Sequence, residues 1–120
     1  MFTDFESLTA YCLSKKGASA SYPFGEGALV FKVMGKMFAL VSEDSDPLRI
    51  NLKCDPEDAD ALRAQHEAIL PGYHMNKRHW NTLVLDGSLP DGLVAELIDH
   101  SYDLVVQNLP RAQRAQLDQS

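Results

Sequence analysis

Leu48-Arg49-Ile50-Asn51-Leu52-Lys53-Cys54-Asp55-Pro56-Glu57-Asp58 changes its period halfway along. From Leu48 to Lys53 apolar and polar residues alternate, the spacing of a strand whose successive side chains point to opposite faces. Leu48, Ile50 and Leu52 share one face; Arg49, Asn51 and Lys53 share the other. Such a strand belongs to a sheet with one face packed and one face in water. Asp55-Pro56-Glu57-Asp58 then opens a helix. Asp55 takes the N-cap, Pro56 the first helical position, and the acids complement the helix dipole. Ala59, Leu62 and His66 lie along one side of it, and it ends before Leu70-Pro71-Gly72.

Upstream, Leu29–Val33 and Lys36–Val41 are apolar runs joined by Met34-Gly35, which predicts a tight hairpin with Gly35 at positive φ. Glu43-Asp44-Ser45-Asp46-Pro47 is a solvated loop without the spacing of a calcium-binding loop. Residues 17–27, holding Tyr22-Pro23-Phe24-Gly25, read as a loop whose aromatic residues pin it to the domain, with a ligand wall as the alternative. Before it, Thr3-Asp4-Phe5-Glu6 fits a capping box with Thr3 as N-cap. Phe5, Leu8 and Cys12 then form the apolar side of a helix over about 4–16.

Downstream, Thr82–Leu85 is a strand, Asp86-Gly87 a turn, and Pro90 the start of a third helix. Its stripe is Leu93, Leu97, Ile98, Ser101 and Val105, flanked by Val94 and Leu104, wide enough to lie on a sheet. Leu109-Pro110 stops it, and Arg111–Ser120, with little to bury, is expected to be frayed or disordered. Residues 1–110 therefore make one domain: a two-layer α/β sandwich of the α+β class, with helices on one face of a largely antiparallel sheet.

Composition narrows the function. The chain has 120 residues, a net charge of −6 and two cysteines, which make neither a disulfide framework nor a zinc site, so no metal is expected. No apolar run approaches the ~18 residues of a membrane span, and Met1-Phe2-Thr3-Asp4 has no leader character, so the expected location is the cytoplasm. Phosphate-binding loop, dinucleotide and nucleophile-elbow motifs are absent, and no cofactor is implied.

The charge is unevenly spread. Gly27–Ser42, Pro47–Cys54 and Ala68–Leu85 contain no acid, yet hold Lys32, Lys36, Arg49, Lys53, Lys77 and Arg78, six of the eleven cations. This predicts a basic sheet layer beside acidic helices. Within the third window lies Gly72-Tyr73-His74-Met75-Asn76-Lys77-Arg78-His79-Trp80-Asn81, which holds the one Trp and two of the four His. His74 and His79 are five apart with no third ligand evident, which argues against a metal pair. Arg and Asn suit phosphates and base edges, and Trp can stack on a base or sit in the core. The candidate site for a nucleic acid or other anion is Lys32, Arg49, Asn51, Lys53, Asn76, Lys77, Arg78, His79 and Trp80.

At these residues the chain resembles the MmcQ/YjbR-like family of small bacterial proteins. The resemblance rests on Tyr22–Gly25, Leu29–Val33 with Gly35–Ala39, Asn51–Pro56, Gly72–Asn81, Asp99–Tyr102 and Leu109-Pro110, and covers roughly 2–110. It implies the order α-β3-α-β2-α, a fold similar to type III secretion chaperones, and a DNA-binding label that derives from a "double wing" structural likeness. No catalytic residues come with it. The expectation is a binding module rather than an enzyme, with DNA as partner through the basic sheet face and the 72–81 loop. Alternatives are a chaperone-like module with a protein partner or a second copy of itself, and a small-ligand pocket built by Tyr73, His74, Asn76, His79 and Cys54.

Overall fold

The computed structural model describes residues 2–72 and 76–119. Its elements are α1 (Phe5–Leu13), β1 (Ala18–Ser21), β2 (Ala28–Val33), β3 (Lys36–Ser42), β4 (Arg49–Lys53), α2 (Pro56–Gln65), β5 (Ile69–Pro71), β6 (Trp80–Val84), α3 (Asp91–Gln107) and α4 (Arg111–Asp118). The strands form one sheet in the order β1-β2-β3-β4-β6-β5, and every neighbouring pair is antiparallel. α3 lies across β2, β3 and β4, while α1 packs on β1 and α2 on β5. The architecture is a two-layer α+β sandwich.

Strand parity explains the layering. Leu29, Phe31 and Val33 of β2, Ala39 and Val41 of β3, Ile50 and Leu52 of β4 and Leu83 of β6 share one face. They join Leu8 and Cys12 of α1 and Val94, Ile98, Tyr102 and Val105 of α3 in a single core. Ser101 stands in the apolar stripe for a reason: its hydroxyl donates to Phe38 O at 2.5 Å and accepts from Lys53 N at 2.8 Å, tying α3 to β3 and β4. The Met34-Gly35 hairpin forms as expected, with φ of 50° and 80°.

Three expectations are corrected. The cap of α1 is Asp4, whose carboxylate accepts from Ser7 N at 2.8 Å, rather than Thr3. Ser19 and Ala20 are not loop but strand, because the edge of β2 offers unpaired backbone groups that this segment satisfies. Residues 111–118 are not frayed. Pro110 starts α4, and Leu117 is buried against Gly17, where an added Cβ would lie 2.5 Å from Leu117 Cδ1. One apolar residue on an otherwise polar helix is enough to dock it, with Lys16 Nζ donating to Asp118 O at 2.9 Å. The observed order therefore inserts a strand between the first helix and the three-strand run of the α-β3-α-β2-α plan, and adds a helix at its end. Among the described residues no helix is long and apolar enough to cross a membrane.

Candidate functional site

Among the described residues no helix packs on the second face of the sheet. Register places Ala28, Val30 and Lys32 of β2, Met37, Leu40 and Ser42 of β3, Arg49, Asn51 and Lys53 of β4, and Trp80, Thr82 and Val84 of β6 on it. No strand contributes a carboxylate. The face is less wet than the alternation of β4 suggested: Val30 is buried, and Met37, Leu40 and Trp80 are half-buried. Met37 reaches it through a bulge. The register of β2 on β3 shifts between Phe31 and Lys32, so Phe38 turns into the core beside Phe31 and Tyr102 while Met37 faces outward.

Loops wall this face into a hollow of about 720 Å³, lined by Phe24, Met37, Leu40, Arg49, Asn51, Asn76, Trp80 and Thr82, with Ala28, Ser42 and Ser45 completing it. The loop bearing Phe24 is pinned by Tyr22, whose hydroxyl donates to Glu43, and by Glu43 N donating to Gly27 O at 2.9 Å. Phe24 itself is 72% exposed and is held out as a wall. On the floor, Thr82 Oγ1 donates to Asn51 Oδ1 at 2.5 Å, and both residues are buried although they point away from the main core. Their amide and hydroxyl are thereby fixed in orientation, while the exposed Arg49 guanidinium sits beside them on the lining.

Asn76 joins the lining from the turn Asn76–His79, which is closed by His79 N donating to Asn76 O at 3.1 Å and by Arg78 N donating to Asn76 Oδ1 at 3.0 Å. One helical residue holds this turn. Arg63 of α2 donates through Nε to Asn81 Oδ1 at 2.6 Å and through Nη2 to Lys77 O and, at 3.2 Å, to Trp80 O. Gly72 N also donates to Trp80 O at 2.8 Å, and a Cβ at Gly72 would stand 2.7 Å from Trp80 Cβ, so the chain can pass here only as glycine.

Of the expected site residues, Arg49, Asn51, Asn76 and Trp80 come together in the hollow. Lys32 and Lys53 share the sheet face but stand outside the lining. Lys77 and Arg78 are exposed on the turn, and His79 is half-buried, its carbonyl accepting from Cys54 N at 2.7 Å. Tyr73 and His74 lie outside the described residues. Cys54 does not converge with Asn76 as the small-ligand reading expected. It is buried at the end of β4 and opens toward the helices with Asp58 and His100. Nor is it an activated nucleophile: burial, then the charges of Asp58 and Asp55, push its thiol up to about 11. The sequence reading held Phe24 as a wall only as the alternative to a pinning role, and missed Met37, Leu40 and Thr82 as lining and Arg63 as the anchor. The outward parity of Leu40, a large apolar residue opposite Ala39 and Val41, was the signal available.

Sheet, bulge and walling loops define a class: small two-layer α+β domains in which one sheet face is left bare of helices and is instead walled by loops. The chain belongs to the YjbR family, whose model matches residues 13–104. It is 42% identical over 112 residues to the uncharacterised protein YjbR of Escherichia coli K12, covering 93% of this chain and 95% of that one. It is 40% identical over 90 residues to the uncharacterised protein YbdF of Escherichia coli O157:H7, covering 75% and 74%. Among solved structures, Deinococcus radiodurans protein DR2400 superposes with a TM-score of 0.91 at 40% identity, over 97% of this chain and 88% of that one.

Proposed function

We propose that this protein is a binding module whose site is the hollow on the bare sheet face, and that its ligand is a small amphipathic anion. The observation that carries this is the form of the site: a recess of about 720 Å³ with apolar walls and one guanidinium. That volume suits a small molecule, and a few fixed polar groups in an apolar recess give orientation and specificity. Trp80, Leu40, Met37 and Phe24 would cover a flat apolar body. Arg49 would meet the acidic group, and the amides of Asn51 and Asn76 would accept or donate around it.

Nucleic acid is a second reading, favoured by Lys32 and Lys53 on the same face and by Lys77 and Arg78 on the adjoining turn. A recess takes an unpaired base on Trp80 more readily than it takes a duplex groove. Trp80 is the one tryptophan, so its fluorescence reports the site directly. Titration with 8-anilinonaphthalene-1-sulfonate, an apolar body bearing one sulfonate, is expected to saturate at one per chain and to weaken about 10-fold in Arg49→Gln. Saturation by a labelled single strand or duplex, with the sulfonate failing to bind, would replace this reading by the nucleic-acid one. Failure of all three, with a second copy or another protein covering Phe24 instead, would point to the chaperone-like alternative.

A further inference from the structure

The geometry points to a second site on the helical side of the molecule, formed by Cys54, Asp58 and His100, that takes a zinc-class divalent transition metal. Cys54 follows β4, Asp58 lies in the first turn of α2, and His100 is in the middle of α3. One donor atom from each (a thiol sulfur, a carboxylate oxygen and an imidazole nitrogen) lies within 4.8 Å of the other two. Tetrahedral zinc with bonds of about 2.0–2.3 Å sets neighbouring donors roughly 3.3–3.8 Å apart. Asp58 is exposed, so its carboxylate has room to turn toward the other two donors as the metal draws them together.

An independent observation points the same way. His100 Nε2 is shielded from solvent and has no hydrogen-bond partner among the described residues. The Asp55 carboxylate is its neighbour at 3.6 Å, beyond hydrogen-bond reach, and adds a further negative charge beside the cluster. A shielded ring nitrogen without a partner is a group awaiting one.

The supports are rigid. Cys54 N is tied to His79 O at 2.7 Å, and the residue after His100 is Ser101, whose hydroxyl bridges Phe38 O and Lys53 N. Two of the three donors thus stand on packed elements tied to the sheet, and the exposed Asp58 completes the set when the metal arrives. A side hollow of about 370 Å³, rimmed by Gln65 and Glu96, adjoins the three residues and supplies both an entry path and room for a fourth ligand from solvent.

The donor set selects the metal. Sulfur and nitrogen disfavour calcium and magnesium, which take oxygen, while thiolate, imidazole and carboxylate together suit zinc. The second cysteine, Cys12, is buried in the main core, so the site is necessarily of mixed donors. On binding, the Cys54 S–H bond is replaced by a sulfur–metal bond and the proton leaves to solvent.

The test uses the full chain stripped of metal and titrated with cobalt(II), whose thiolate charge-transfer band in the near ultraviolet reports sulfur ligation. One cobalt per chain is expected, displaced by zinc. The band should vanish in Cys54→Ser and persist in Cys12→Ser. Zinc affinity, measured against a chromophoric chelator, should fall at least about 10-fold in Asp58→Asn and in His100→Gln. Circular dichroism checks each fold, and Asp58→Asn, at an exposed position, decides the matter if a buried variant does not fold. Absence of the band in the unsubstituted chain, its survival in folded Cys54→Ser, or unchanged zinc affinity in Asp58→Asn would overturn the proposal.

Discussion

Arg63 anchors the turn beside the candidate hollow from outside its lining. Its guanidinium joins α2 to three acceptors on the segment 77–81, a geometry that a planar fork reaches and a lysine ammonium does not. One hydrogen bond to a charged group is worth about 1.5–3 kcal/mol and Gln can keep only part of the set, so Arg63→Gln should cost at least about 2 kcal/mol in denaturant unfolding. Arg63→Lys should recover little of it. Trp80 fluorescence in the folded variant should shift as the turn loosens, and an unchanged midpoint would show that the turn stands without its anchor. A second residue-scale expectation concerns alkali. Burial pushes the Cys12 thiol up from 9.0 to about 12. The hydrogen bond to Asp99, then burial, pushes the Tyr11 hydroxyl up from 10.0 to about 12. Both groups hold their protons more tightly folded than unfolded. Their contribution is therefore complete below pH 9 and is lost as pH rises from there through 12. The thermal midpoint should fall over that window, and less steeply in Cys12→Ala.

Elements differ in how far their sequence declares them. β4 was legible because its alternation is complete, the hairpin because Met34-Gly35 is flanked by apolar runs, and α3 because its stripe is wide. β1, Ala-Ser-Ala-Ser, carries no apolar signal at all; its four residues are strand because β2 presents an edge. β5 has three residues and ends on Pro71, so it looked like a break. α4 has a single anchor, and nothing local says that Gly17 will be there to receive it. Of the site, parity alone placed Arg49 and Asn51 on the outer face, and the 72–81 stretch marked Asn76 and Trp80. Met37 was hidden by the bulge, which reverses the parity that sequence implies; Phe24 offered either a pin or a wall, and the choice depends on a loop path set from Glu43. Two predictions follow from packing at this scale. Leu117→Ala should cost about 2–3 kcal/mol and release α4 to proteolysis, the cost of a buried leucine at a site that can partly collapse. Gly72→Ala should cost about 2 kcal/mol by overpacking against Trp80, with a loss of ligand affinity that Gly92→Ala, whose added Cβ meets nothing within 4 Å, does not share.

At the scale of the whole molecule, the net charge of −6 and the acid-free sheet have to be weighed against each other. A polyanion lying along the bare face would meet Lys32, Arg49 and Lys53, and on the turn Lys77 and Arg78. Neutralising five phosphates makes the logarithm of the affinity fall with the logarithm of salt at a slope of about −4.5 for a duplex and about −3.5 for a single strand. A small anion seated in the hollow meets Arg49 alone among the cations of the lining, and its slope should be about −1. The surrounding negative charge does not change this count, because at physiological salt its field is screened within ~8 Å. Binding followed by Trp80 fluorescence across a range of salt therefore separates the two ligands without knowledge of either in advance. With the hollow as the site, Arg49→Gln abolishes the slope, and the double variant Lys77→Gln, Arg78→Gln leaves affinity and slope within about twofold, since exposed charges on a rim contribute little. With a nucleic acid across the face, each of these substitutions instead removes about one unit of slope and weakens all sequences alike.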